Sequence, residues 1–235
     1  MHRFTLLACL FALAFPIRGE AQSPTSGAEG ARVLILGDSI SIGYMPFVKT
    51  LLQKEAFVTR PMQNAQRAEN CAGTTNGVKQ IDRWLKLEGG DWDVIHFNFG
   101  LHDLKREDPK TGKPSSNPAD PNQASPEAYE KQLEEVVKKL KATGAELIFA
   151  TTTPVPEGKV SPHRDLADVE KYNALAKKIM KEHGVAINDL YALALPKLKE
   201  IQRPVNVHFT PAGSELLAKE VVKHIREALK ESAKK

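Results

Sequence analysis

The chain has 235 residues, with 33 Lys and Arg against 29 Asp and Glu and a formal net charge of +4. The charges interleave along helical patterns instead of forming a basic block, which describes solvated helix faces and argues against a nucleic-acid groove. The only long apolar stretch, residues 4–15, is too short to span a bilayer, so no membrane span is expected.

In chain order, His2 and Arg3, that apolar stretch and then Gly19-Glu20-Ala21 predict a signal peptide over residues 1–21 and a secreted or periplasmic product. Residues 22–30, rich in Ser, Gly, Pro and Thr, read as a flexible lead. Residues 31–235 are long enough for one domain with its own core. Cys9 falls in the signal, so Cys71 is left without a disulfide partner and reads as a small packing residue.

Short apolar runs then alternate with amphipathic ones, the pattern of strands and crossover helices around a parallel sheet. Strands are expected at residues 33–36, 56–59, 94–99, 147–151 and 185–188. The clearest helix has Ser125 as N-cap and Pro126 and Glu127 behind it. It carries Tyr129, Leu133, Val136, Val137 and Leu140 on one face and stops at Gly144. A second spans 166–183 and ends at Gly184. The last has Thr210 as N-cap, Pro211 at its first position, and Leu217, Val221, Ile225 and Leu229 at four-residue spacing. Between Lys105 and Ser125 a polar stretch with Pro109, Pro114, Pro118 and Pro121 shows no apolar period. It reads either as a functional insertion or as a disordered surface loop.

In an open α/β sheet, ligands bind outside the carboxyl ends of the strands. Gly37-Asp38-Ser39 follows the first strand, Gly100-Leu101-His102-Asp103 the third and Thr151-Thr152-Thr153-Pro154 the fourth, while His208 lies on the loop entering the last helix. A serine and a histidine held within hydrogen-bond reach make a nucleophile and its general base. The remaining histidines, His96, His163, His183 and His224, form no ligand pair, and neither a metal nor another cofactor is expected. Asp38 and Asp103 read as turn carboxylates that bond backbone N–H groups.

With these blocks in place, the chain resembles the SGNH/GDSL hydrolase family over about residues 31–230. Gly37-Asp38-Ser39-Ile40 matches the first block. Asn70-Cys71-Ala72-Gly73-Thr74-Thr75 is similar to the second, with Gly73 at the oxyanion-hole glycine. Gly100-Leu101-His102-Asp103 stands at the third, and Val205-Asn206-Val207-His208 at the Asp-x-x-His of the last. The resemblance implies a three-layer α/β/α sandwich with a mostly parallel five-stranded sheet. It further implies Ser39 as nucleophile, His208 as base, and an oxyanion hole of Ser39, Gly73 and the residue at 102.

Two positions depart from that pattern. His102 replaces the family asparagine; an imidazole N–H can take over as oxyanion donor, a bond whose loss typically costs about 10²–10³ in rate. Val205 replaces the family acid and can neither orient nor charge-stabilise an imidazole. Three groups could orient His208 instead: a backbone carbonyl of the 204–206 loop, the side-chain oxygen of Asn206, or Asp189. The carbonyl is the favoured reading, because Asp189 is equally suited to capping the turn before Leu190. The expected function is a secreted serine esterase that deacetylates a sugar or polysaccharide ester. A lysophospholipase, thioesterase or arylesterase is the first rival, and a non-catalytic carbohydrate-binding protein of the same fold the second.

Overall fold

The computed structural model describes Met1 and residues 30–234. Apart from Met1 and Gly30, the expected signal peptide and lead lie outside the described residues.

Five strands form one sheet: β1 Ala31–Leu36, β2 Ala56–Thr59, β3 Val94–Phe97, β4 Glu146–Ala150 and β5 Ala186–Asn188. Their order is β2-β1-β3-β4-β5, and every pairing is parallel. Val33 to Leu36 are fully buried, as expected of a central strand covered on both faces. Phe97 and Phe149 meet edge to face across β3 and β4, with ring centroids 5.4 Å apart.

The main helices are α1 Ser39–Leu52, α2 Thr74–Leu85, α3 Pro126–Lys141 and α4 Leu166–His183, followed by the short α5 Leu190–Ala194 and α6 Leu198–Ile201 and the terminal α7 Pro211–Ser232. α1 packs with α7 and covers one face of the sheet; α2, α3 and α4 pack side by side on the other. The caps follow from sequence. Ser125 Oγ accepts from Ala128 N–H, Thr210 Oγ1 accepts from Gly213 N–H, and Gly184 closes α4 in the left-handed conformation.

β1 feeds β2 on one side while β3 lies on its other side, so the chain reverses its direction of travel across the sheet at β1 and β3. The carboxyl ends of these strands therefore splay apart into a crevice. β3 ends at Phe97, two residues short of the expected run; Asn98 N–H still donates to the Leu36 carbonyl at 3.0 Å, and its side-chain amide donates to the Ala150 carbonyl at 2.8 Å.

The 105–125 stretch is an ordered loop. Arg106 pairs with Asn122 and Glu107 with Pro114 in isolated bridges, and Arg106 N–H donates to the His163 carbonyl. The Arg106 guanidinium bonds Asn122 and Asp165, which ties the loop to the start of α4.

Candidate active site

Ser39 is the first residue of α1, directly after the turn that leaves β1. Asp38 caps this helix, its Oδ1 accepting the Ile40 N–H at 2.8 Å. At this position the Ser39 N–H has no intrahelical acceptor. Glycine is required beside it, since a Cβ at Gly37 would lie 2.9 Å from Ser41 Oγ.

His208 reaches Ser39 from the loop before α7, with Nε2 2.9 Å from Ser39 Oγ. Its Nδ1 lies 2.7 Å from Asn206 Oδ1, and the same oxygen accepts the His208 backbone N–H at 2.9 Å. These contacts fix the proton positions. A backbone N–H only donates, so the Asn206 atom facing it is the amide oxygen; the ring Nδ1 must then carry hydrogen, and Nε2 is the free acceptor for the serine hydroxyl. The group within hydrogen-bond reach of Nδ1 is thus the Asn206 side chain, where the sequence favoured a backbone carbonyl of the same loop. Asp189 is engaged elsewhere: its carboxylate accepts from Lys177 Nζ at 2.6 Å and Thr151 Oγ1 at 2.9 Å, and it caps α5 through the Ala192 N–H.

Val205, at the position of the family acid, makes no contact that an acid would make with His208. Its φ is 49°, and its side chain is half exposed, lies against the Gly158 turn and lines the cavity edge beside Asn206. The loop is held from behind by Gln202, whose Nε2 donates to the Pro154 and Val207 carbonyls.

Burial holds His208 below the usual histidine range, reinforced by Arg203 and Arg164 and opposed by Asp38. His102 is held lower, at about 4, mainly by burial and then by Lys105, Arg164 and His208 against the pull of Asp38. It is therefore neutral near pH 7. Lys105 Nζ lies 3.4 Å from His102 Nδ1. An ammonium can only donate, so this contact leaves Nε2 as the protonated nitrogen of His102.

Gly73 caps α2, buried against the Asp103 carboxylate; a Cβ there would sit 2.7 Å from Asp103 Oδ1. Asp103 accepts both the Thr74 N–H at 2.7 Å and the Thr74 hydroxyl at 2.6 Å, joining the second block to the third. Its role is to anchor. Burial raises its carboxyl to about 6. Cys71 is fully buried, and its thiol is pushed up to about 12.

Two cavities flank Ser39 and His208. One, of about 380 Å³, is walled by Ile40, Phe47, Phe209 and Pro211 with Arg203 at its edge. The other, of about 360 Å³, is lined by His102, Asn206, Asn70, Lys105 and Arg164 together with Pro114 of the long loop. The structure thus brings Ser39, His208, Asn206 and His102 around one space, while Gly73, at the α2 N-cap, is not among the residues that line it. Sequence reasoning missed Asn70 and Arg164 as lining residues. Asn70 lay within a recognised block, but Arg164 belongs to no motif and had no signal. Among the described residues no group of three or more His, Cys, Asp or Glu is placed to hold a metal. No described helix is long and apolar enough to cross a membrane.

Comparison with known proteins gives consistent results. The sequence model of the GDSL-like lipase/acylhydrolase family matches residues 35–216. A lipase/acylhydrolase from Enterococcus faecalis superposes with a TM-score of 0.66 at 19% identity, covering 84% of this chain and 96% of that one. An acetyl xylan esterase superposes with a TM-score of 0.63 at 15% identity, over 83% and 99%. An acetyl-xylooligosaccharide esterase from Geobacillus stearmophilus, solved as a mutant, gives 0.62 at 18%, over 83% and 95%. No curated protein matches the chain.

Proposed function

Because the chain belongs to the GDSL-like lipase/acylhydrolase family, we propose that it is an exported serine esterase in which Ser39 is the nucleophile and His208 the general base. The observation that carries this reading is the hydrogen-bonded series Ser39, His208, Asn206, at 2.9 and 2.7 Å. Ser39 Oγ attacks the ester carbonyl carbon while its proton passes to His208 Nε2. The carbonyl oxygen becomes an oxyanion held by N–H groups of Ser39, Gly73 and His102. As this intermediate collapses, the proton on Nε2 passes to the leaving alkoxide, which departs as alcohol. Water then attacks the acyl-enzyme by the same steps and frees the acid.

The substrate that fits best is an acetylated sugar or polysaccharide. The polar, cationic cavity suits an alcohol rich in oxygen. Two proteins of similar fold are described as acetyl xylan and acetyl-xylooligosaccharide esterases, the same substrate class. The apolar walls Phe47 and Phe209 favour an arylesterase as the second reading. Acetate release from acetylated polysaccharides by the purified protein, beside a p-nitrophenyl ester series of rising acyl length, separates the two. Activity should fall steeply beyond two or three carbons, and Ser39→Ala should lose at least ~10³-fold in kcat with its fold intact. Near-normal turnover by that variant would reject the mechanism, and a binding-only protein would release no acetate.

A further inference from the structure

The cavity on the His102 side holds two cations that have no carboxylate beside them. Arg164 is buried, with Nε donating to the Leu101 carbonyl at 2.8 Å and Nη1 to the Pro162 carbonyl at 3.1 Å; Nη2 has no hydrogen-bond partner among the described residues. Lys105 is half-buried, and its Nζ contacts only His102. Among the described residues neither forms an ion pair, and no Asp or Glu is among those lining the cavity. The carboxylates that oppose these charges act from behind the walls, Asp38 toward Arg164 and Glu107 and Asp103 toward Lys105.

Placing two partly desolvated like charges together is unfavourable unless something of opposite sign offsets them. Here the cost is borne in the cleft that also contains Ser39. Building on the esterase reading, we propose that this cavity binds a carboxylate on the alcohol part of the substrate, so that the preferred esters are those of an acidic sugar such as a uronic acid. An acetyl group has no place for a charge, which puts the carboxylate on the sugar. Arg164 Nη2 and the hydrogens of Lys105 Nζ not turned to His102 offer one donor group to each oxygen of a carboxylate; a phosphate dianion would balance both charges but presents a third oxygen for which the cavity lining holds no further cation.

The test compares acetate release from mono-acetylated methyl glucuronoside, mono-acetylated methyl glucoside and mono-acetylated glucose 6-phosphate, with p-nitrophenyl acetate as a general ester. The uronoside should be favoured over the glucoside by at least ~10-fold in kcat/KM, mostly through KM, and the advantage should shrink as salt rises. Lys105→Gln should cut that ratio several-fold and Lys105→Glu should invert it. The ratio is the readout because Lys105 also touches His102, so that both rates can change together. Arg164→Lys, which keeps the charge and loses the fork, guards against loss of folding in larger changes. Equal rates on uronoside and glucoside, or a ratio untouched by Lys105→Glu, would overturn the proposal, as would a preference for the 6-phosphate. Cleavage of p-nitrophenyl acetate alone would also overturn it, whereas cleavage of none of the four would reject the esterase reading on which it rests.

Discussion

An amide oxygen orients His208 as a carboxylate would, but it carries no charge, so the imidazolium formed in the first step is opposed by burial and by Arg203 and Arg164 and favoured by Asp38. The free base therefore persists to pH values below 6.5. The acid limb of kcat/KM, where protonation of His208 switches the base off, should accordingly lie below 6.5. Asn206→Asp places a carboxylate within about 3 Å of Nδ1, which should move that limb up by about one pH unit or more and raise kcat above it. A pH profile that does not move would mean that residue 206 does not contact the working imidazole. His102 offers a second test. His102→Ala should lower kcat by about 10–10³ with a smaller change in KM, the sign of a bond strongest in the transition state, and His102→Asn should recover much of it. Unchanged kinetics for the alanine variant would leave His102 a packing residue. What could be read at these positions from sequence was residue type and order: Ser39, His208 and the two departures. The identity of the orienting group was not legible, because Asn206, a loop carbonyl and Asp189 were distinguished only by how the 203–208 turn folds back.

At the scale of elements, caps and turns hold the site in place. Ser125, Thr210 and Gly184 announce their helix ends in sequence because the capping group is local. α2 is different: its capping glycine has no side chain, and the first N–H of the helix goes to Asp103, 29 residues away. Such a tertiary cap leaves no local signal. It does leave a thermodynamic one. The Asp103 carboxyl is raised to about 6 in the fold from the ordinary 3.8, so between those values the native state keeps a proton that the unfolded chain has lost. This group's contribution to stability is full below about pH 4, falls as pH rises toward 6, and is level above that. Asp103→Asn removes the titration. The variant's Tm relative to the natural protein should therefore be several degrees more favourable at pH 7 than at pH 4, since 1 kcal/mol corresponds to about 2–4 °C at this size. A difference independent of pH would show that Asp103 does not titrate in this range. Val205 is also a constrained point of a connection. A β-branched residue at a φ of 49° is strained, by roughly 1–3 kcal/mol for positions of this kind. Glycine at 205 would relieve that strain but also free the turn that carries Asn206.

Across the whole molecule, the parallel sheet was legible because its strands are short apolar runs between amphipathic ones, a pattern that depends only on burial on both faces. The long loop was not, since four prolines and many polar residues look alike whether a segment is ordered or free. Its order comes from contacts distant in sequence. Arg106 bonds Asn122 within the loop and Asp165 at the α4 N-cap, lies 3.5 Å from Asp168, and is largely buried. Asn122 in turn bonds the Leu104 carbonyl and Asp168. This cluster fixes both ends of the loop near the strand β3 exit, so that Pro114 and Arg164, the latter just before α4, both line the cavity that holds Ser39 and His208. Arg106→Ala would take the guanidinium from Asp165 and Asp168 and leave the loop without its clasp, at a cost of about 1–3 kcal/mol, since the Asp165 side chain is 43% exposed and its charge is screened by solvent. The expected phenotype is local more than global, because Arg106 touches no strand. Limited proteolysis should cut first between residues 109 and 120, at protease levels that leave the natural protein intact. Turnover of a small ester such as p-nitrophenyl acetate, which makes no use of the loop wall, should change less than turnover of a sugar ester that leans on it, and for the latter KM should rise more than kcat falls. Equal losses on both substrates would place the damage in the Ser39 and His208 geometry itself and deny the loop a part in binding.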